Sequence, residues 1–433
     1  MPVMLVLLAT LPLLAGLVAA TGLRWVAQVV TLVTGLGCLG LVLALVPAVV
    51  AGPVQFGFLR ADAISVVFLL GTAFLYAAAA AYSIGYLRGE HQHPNRYRLR
   101  FYTGLNLFAW SMLCAPLMDG LALLWIAVEI TTVVSALLVA LDDTDRAAEA
   151  AWKYVLLASA GLGVGLLATI VMYYAGSTVL GQSYDLAFAP LLAAGDRLPH
   201  TAVQLAFVLA VLGYGTKVGL FPVHTWLPDA HSEAPTPVSA LLSGSLLAVS
   251  FYAVLRYFQI ASATVGAQFP RTVLVVFGIL SLLLAALYLL EQRDLKRLLA
   301  YSSVEHMGIL AIGIGIGGTA GQRRCAAARH RACRCEGQCV LRRGRTGPEV
   351  RHQGRHPHPL RVAGAALDRT PVPVRRAGAL GDAAVRALPQ RVPDRGRRPV
   401  LGARHRHRGP GRARDGGLPR AVGGHHPDAV RRR

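Results

Sequence analysis

A chain of 433 residues with 54% hydrophobic and only 15% charged residues, and a mean hydropathy of +0.49, lies outside the range of soluble domains, in which about a quarter of residues are charged. That composition excludes a soluble globular enzyme and points to the membrane class. The net charge of +21 is confined to one end: residues 1–318 carry 15 Lys and Arg against 15 Asp and Glu, whereas residues 319–433 carry 28 against 7, and those 28 are all arginine.

A bilayer core of about 30 Å needs about 20 apolar residues of helix. In chain order the apolar runs are 3–20, 25–50, 63–86, 101–117, 119–141, 150–175, 201–222, 237–260, 271–291 and 298–317. They predict an all-α polytopic transmembrane helix bundle of about ten spans with a broken seventh helix, followed by a disordered Arg-rich tail. The first run follows Met1 with no basic segment and a second follows Arg24, the pattern of a first span rather than a cleaved signal. The chain divides into N-terminal helices (1–100), a core (101–318) and the basic tail (319–433). Odd-numbered connections carry Arg24; Arg88, Arg96, Arg98 and Arg100; Arg146 and Lys153; and Arg293, Lys296 and Arg297. Even-numbered ones carry Arg60, Arg197, Arg256 and Arg271. This bias of ten to four puts the N-terminus outside by the positive-inside rule. Gly161 and Gly165 are spaced for close helix contact, and Cys38 and Cys114 sit in apolar runs as buried side chains with no disulfide implied.

Two charges lie where charge is costly. Glu129 is near the middle of the fifth run, where an ionised carboxylate costs about 2.5–3.5 kcal/mol or more. Lys217 is in the seventh, five residues before Pro222, which removes a backbone donor and disfavours helix at Phe221. Broken backbone at membrane depth must be buried in protein or line a wet cavity. Glu129 and Lys217 are therefore expected to pair, each tuning the other's proton affinity; a static salt bridge, or snorkelling to an interface, are the plainer alternatives. The following segment holds His224, Asp229, His231 and Glu233 with Pro228, Pro235 and Pro237, and three prolines in ten residues predict a short irregular stretch. The His224 to His231 spacing matches no zinc pattern, so no metal is expected, and His231 reads as a proton relay or a structural hydrogen-bonding group.

The run KVGLFPVHTWLPDAHSEAPTPVSALLSG from Lys217 to Gly244 resembles the signature of the antiporter-like subunits shared by NADH:quinone oxidoreductase, Mrp cation/proton antiporters and energy-converting hydrogenases. WIAVEITTVVSALLVAL around Glu129 and DLKRLLAYSSVEHMG from Asp294 to Gly308 agree with it, and the wording is closest to the hydrogenase-4 and formate hydrogenlyase branch. The resemblance covers roughly Ala63 to Gly318. It implies a proton-translocating inner-membrane subunit with Glu129 and Lys217 as the central pair, His231 and His306 as relays, no redox centre or cofactor of its own, and partners among the membrane and peripheral subunits of a redox complex. Many relatives have a lysine where this chain reads Ala248, so one relay step is missing or made by water. A cation/proton antiporter is the alternative within the family.

From Thr319 the periodicity ends. Taken at face value the tail is a disordered basic segment, which would make the chain a membrane-tethered nucleic-acid binder. Cys325, Cys333, Cys335 and Cys339 beside His330 do not have zinc-finger spacing. A one-base frameshift in a GC-rich gene explains the arginine excess and the missing lysines better. Shifted by one base, residues 377–395 can encode LALLAMPPFGLFLSEFLIV, and residues 325–340 yield an apolar helix in the same frame. No nucleic-acid partner is then expected, and the polypeptide as written lacks the later helices and should fail to pump until the frame is restored.

Overall fold

Glycine and proline punctuate the apolar runs, and between them the chain winds into helices packed side by side. The protein is described from a computed structural model that covers residues 2–89, 94–290 and 292–317; both readings of the tail fall outside these residues. The order is α1 (Pro2–Ala19), α2 (Arg24–Ala51), a hairpin of β1 (Val54–Phe56) and β2 (Leu59–Ala61), α3 (Ala63–Gly89), α4 (Asn95–Cys114), α5 (Leu121–Val139), α6 (Asp145–Leu180), α7 (Phe188–Ala194), α8 (His200–Val218), α9 (Trp226–Glu233), α10 (Thr236–Leu241), α11 (Leu247–Val265), α12 (Gln268–Leu289) and α13 (Leu295–Ile316). Between α10 and α11 the residues Leu242–Leu246 form a wider π turn. The hairpin pairs Val54 with Ala61 and Phe56 with Leu59, and Leu59 bridges to Met118.

Local chemistry sets the helix ends. Thr144 caps α6 by accepting from the Ala147 N–H at 3.1 Å, Asp294 caps α13 through the Lys296 N–H at 2.8 Å, and Asp62 caps α3 through the Ser65 N–H at 3.0 Å. Helix α8 stops at Gly219, whose φ of +81° is left-handed backbone open chiefly to glycine. Closure there is completed by Leu220 N–H on the Gly215 carbonyl at 2.8 Å.

Among the described residues nine helical segments are long and apolar enough to cross a bilayer, so the chain is a multi-pass membrane bundle with one such span fewer than expected. The shortfall is α4, which starts at Asn95 rather than at 101 and has Arg96, Arg98 and Arg100 in its first two turns. The even-numbered loops also lose a cation. Arg256 is not in a connection but midway along α11, 2% exposed and ion-paired with Asp62 at 2.7 Å.

The expected irregular stretch after the break is also corrected. It folds as two short helices, because Pro228 sits in the first turn of α9, where its missing N–H costs nothing, and Pro237 begins α10 in the same way. Only Pro222 and Pro235 lie outside helix, in the gaps before α9 and α10. The broken seventh span is observed, ending at Val218, three residues before Phe221. Helices α6 and α8 meet backbone to backbone: a Cβ on Gly213 would stand 2.4 Å from the Gly165 nitrogen and 2.9 Å from the Gly161 carbonyl. Cys38 and Cys114 are buried free thiols.

Candidate functional site

Lys217 occupies the last turn of α8 and is fully buried. Its amine donates to the Val128 carbonyl of α5 at 2.9 Å and to the Thr132 hydroxyl one turn further on. An ammonium has three donors, and both of these partners are neutral. Glu129 follows Val128 and is therefore turned by about 100° around α5. One of its carboxylate oxygens accepts from Ser159 of α6 at 2.8 Å, while the other is buried with no partner. Glu129 and Lys217 thus share the interface of α5, α6 and α8. They form no ion pair within 4.0 Å, so the expected direct pairing is replaced by two neighbouring seats.

The broken backbone around the lysine is well supplied with hydrogen bonds. Trp226 Nε1 donates to the Thr216 carbonyl at 2.7 Å, taking up an acceptor that the helix end would otherwise leave open. The Phe221 N–H donates to Ser281 of α12 at 2.9 Å. Tyr154 lies against the Trp226 ring at 4.5 Å and shares a 2.8 Å hydrogen bond with Ser135 of α5.

Of the two predicted relays, His231 is buried in α9 and its Nε2 has no partner. The chain around it is fixed by Ser239, which donates to the His231 carbonyl at 3.0 Å, and by Lys296, which donates to the Ser232 and Ala234 carbonyls at 2.9 and 3.0 Å. His306 lies on α13, half-buried, with Nδ1 2.7 Å from the Ser302 carbonyl of its own helix. His224, weighed in the sequence only as a metal ligand, is buried with neither ring nitrogen hydrogen-bonded, beside the stacked rings of Tyr288 and Tyr301 at 5.8 and 6.3 Å. Ala248 is buried in α11, just past the π turn.

A second charged cluster escaped the sequence reading. At the hairpin end of the bundle Arg256 meets Asp62, and Arg60 lies 4.0 Å from Asp62 and 3.8 Å from Asp119. Gln55 of β1 donates to Asp119 at 2.7 Å. Burial alone would raise the Asp62 carboxyl, but the hydrogen bond and charge of Arg256, with the Ser65 N–H and hydroxyl, hold it below the ordinary carboxylate value. The overlooked signals were an arginine inside an apolar run and an aspartate directly before one.

Residues 119–327 match the family described as NADH:quinone oxidoreductase/Mrp antiporter, transmembrane. The chain is 38% identical over 265 residues to the hydrogenase-4 component F homolog of Methylacidiphilum infernorum (isolate V4), covering 60% of this chain and 56% of that protein. It is 31% identical over 270 residues to hydrogenase-4 component B of Escherichia coli (strain K12), covering 61% of this chain and 38% of that protein. The chain thus spans about half or less of the length of these relatives. Its fold is similar to a chain of the membrane-bound sulfane sulfur reductase, an archaeal respiratory membrane complex, with a TM-score of 0.71 at 21% identity over 80% of this chain and 72% of that one.

Proposed function

We propose that the chain, whose residues 119–327 match the NADH:quinone oxidoreductase/Mrp antiporter transmembrane family and which is similar to hydrogenase-4 components, serves as a proton-translocating membrane subunit of a complex I-like or energy-converting hydrogenase assembly. The hydrogenase-4 relatives favour the hydrogenase branch. The observation that carries the reading is a buried lysine at a helix break, seated on neutral acceptors beside a carboxylate with one unpartnered oxygen. A charge seated in this way is costly unless water or a mobile countercharge shares it. A proton on Lys217 and the ionised state of Glu129 support each other across a short gap, and a change in that gap loads or releases the proton. His231 and His306 are the proposed relays between this centre and the bundle ends. Electron transfer belongs to partner subunits.

The subunit sits in the inner membrane with its N-terminus outside, and α4 is the tenth span. Its arginine-rich start lies at the same end as Arg146 and Lys153, and Arg100 pairs with Asp143 at 3.3 Å there. Beyond residue 318 the natural frame continues the bundle, and the basic tail is its shifted translation.

Inverted vesicles carrying the assembled complex test the reading, with the chain expressed as written and with the frame restored. Pumping is expected only from the restored form, and there Lys217→Met or Glu129→Gln should lower it at least tenfold, about 1.4 kcal/mol or more. Full pumping by Lys217→Met would overturn the assignment, and pumping that requires sodium would move the function to cation/proton antiport.

A further inference from the structure

Opposite charges attract strongly where water is scarce, so a buried ammonium beside a carboxylate with an unpartnered oxygen is expected to close on it. Lys217 instead stays on two neutral acceptors of α5, the Val128 carbonyl at 2.9 Å and the Thr132 hydroxyl, while one Glu129 oxygen goes without a partner. The two acceptors differ in kind. Val128 also accepts from the Thr131 hydroxyl at 2.6 Å, and a carbonyl can only accept.

Thr132 is the unusual member. Thr31, Thr72, Thr169 and Thr264 each donate to the carbonyl four residues earlier in their own helix, at 2.7 to 3.0 Å. For Thr132 that carbonyl is Val128, which Lys217 and Thr131 already occupy, so its oxygen serves the amine and its own hydrogen is not committed to the helix. Tyr154 of α6 supplies the other side. Ser135 donates to the Thr132 carbonyl at 3.1 Å and so accepts in its 2.8 Å contact with the Tyr154 hydroxyl. This leaves the Tyr154 oxygen to take the hydrogen of Thr132, the second hydroxyl that acts on it. The Tyr154 ring is fixed against Trp226, which is bonded to the Thr216 carbonyl beside Lys217.

We propose that Thr132, oriented by Tyr154, is the positioning residue that holds the Lys217 amine off Glu129. Without its hydroxyl one shared carbonyl remains, and the unpartnered Glu129 oxygen becomes the strongest uncommitted acceptor at this interface. The amine then closes on the carboxylate as a static salt bridge, and the gap that loading and release require is lost. A hydroxyl also suits both states of the amine. It accepts from the ammonium and, by turning its hydrogen, donates to the lone pair of the neutral form. No proton crosses Thr132; its hydrogen only changes direction. The inference deepens the Lys217 reading and rests on it for the purpose that the gap serves.

Two readouts test it. In the full chain in detergent, a lipid-soluble carbodiimide activates the Glu129 carboxyl, and a lysine amine within reach displaces the urea. The product is a Glu129–Lys217 amide with net loss of one water, counted by mass spectrometry of the peptides and absent from Lys217→Met. Thr132→Val keeps the branched shape without the hydroxyl and should raise the amide yield at least threefold, whereas Thr132→Ser should match the parent. In vesicles carrying the assembled complex with the frame restored, Thr132→Val should pump at least tenfold more slowly and Thr132→Ser within about twofold of the parent. A role in packing alone would reverse that order. If the valine variant does not fold, Thr132→Ala enters both assays with the same expectation. A parent amide yield in the folded variant lacking the hydroxyl, or a serine variant as impaired as the valine one, overturns the seat. Full pumping by Lys217→Met alongside a raised amide yield upholds the seat and counts against the lysine pathway.

Discussion

Gly213→Ala tests the contact that sets Lys217 in place. The new methyl would stand 2.4 Å from the Gly165 nitrogen, 2.7 Å from the Gly165 Cα and 2.9 Å from the Gly161 carbonyl. All three are backbone atoms of α6, and none can turn aside as a side-chain tip would. Restoring ordinary contact near 3.4 Å requires α8 to retreat by about 1 Å, and overpacking of this kind costs about 1–3 kcal/mol; with only backbone to yield, the upper end applies. The same retreat shifts the α8 backbone that carries Lys217 relative to its acceptors Val128 and Thr132 on α5, so pumping should fall with stability. Gly163→Ala is the internal control: it lies on the facing helix α6, between Gly161 and Gly165, with nothing within 4 Å of its Cβ, and alanine there should be neutral or stabilising by up to about 1 kcal/mol. Thermal unfolding in detergent and pumping by the assembled complex read the two effects. If Gly213→Ala melts with the parent and pumps normally, the helix seam does not position the lysine.

Two further outcomes follow from the polar contacts. The Asp62 carboxyl is held below its ordinary value, so its contribution is complete above the unfolded value of about 3.9 and is lost as pH falls through the folded one. Asp62→Asn should therefore cost about 3–5 kcal/mol at pH 7, with the gap closing in strong acid; a melting difference constant from pH 7 to pH 3 would count against the ion pair. Lys296→Ala removes both bonds at the end of α9 and should speed amide exchange across 226–235 about tenfold, the equivalent of one ordinary hydrogen bond or slightly more. Unchanged exchange there would show that the bonds do not hold the helix.

The spans could be read from the sequence because each must hide its own backbone in lipid, and that demand leaves long apolar runs bounded by Gly52-Pro53 or by the acids from Asp142 to Glu149. Glu129 and Lys217 were legible because charge at depth is costly whatever the fold. Depth, however, says nothing of rotation about a helix. The step from Val128 to Glu129 turns the carboxylate to Ser159 and leaves the amine on Thr132, and no pattern in either run encodes that. Pro228 and Pro237 misled because proline breaks a helix interior yet suits a first turn, and only the observed helix starts distinguish the two cases. Arg256 was misassigned to a loop for want of its partner. Asp62 lies 194 residues earlier in the chain, and folding alone brings it within reach.

The wide turn at Leu242–Leu246 sets the phase of everything after it. A π turn holds one surplus residue, so α11 emerges rotated by about 100° from the course an unbroken winding would give it. That offset is what aims Tyr252 and Arg256 at the start of α3. Excising a single residue such as Gly244 would rewind the coil, swing the guanidinium about a quarter-turn off Asp62, and leave both charges stranded in the packed interior.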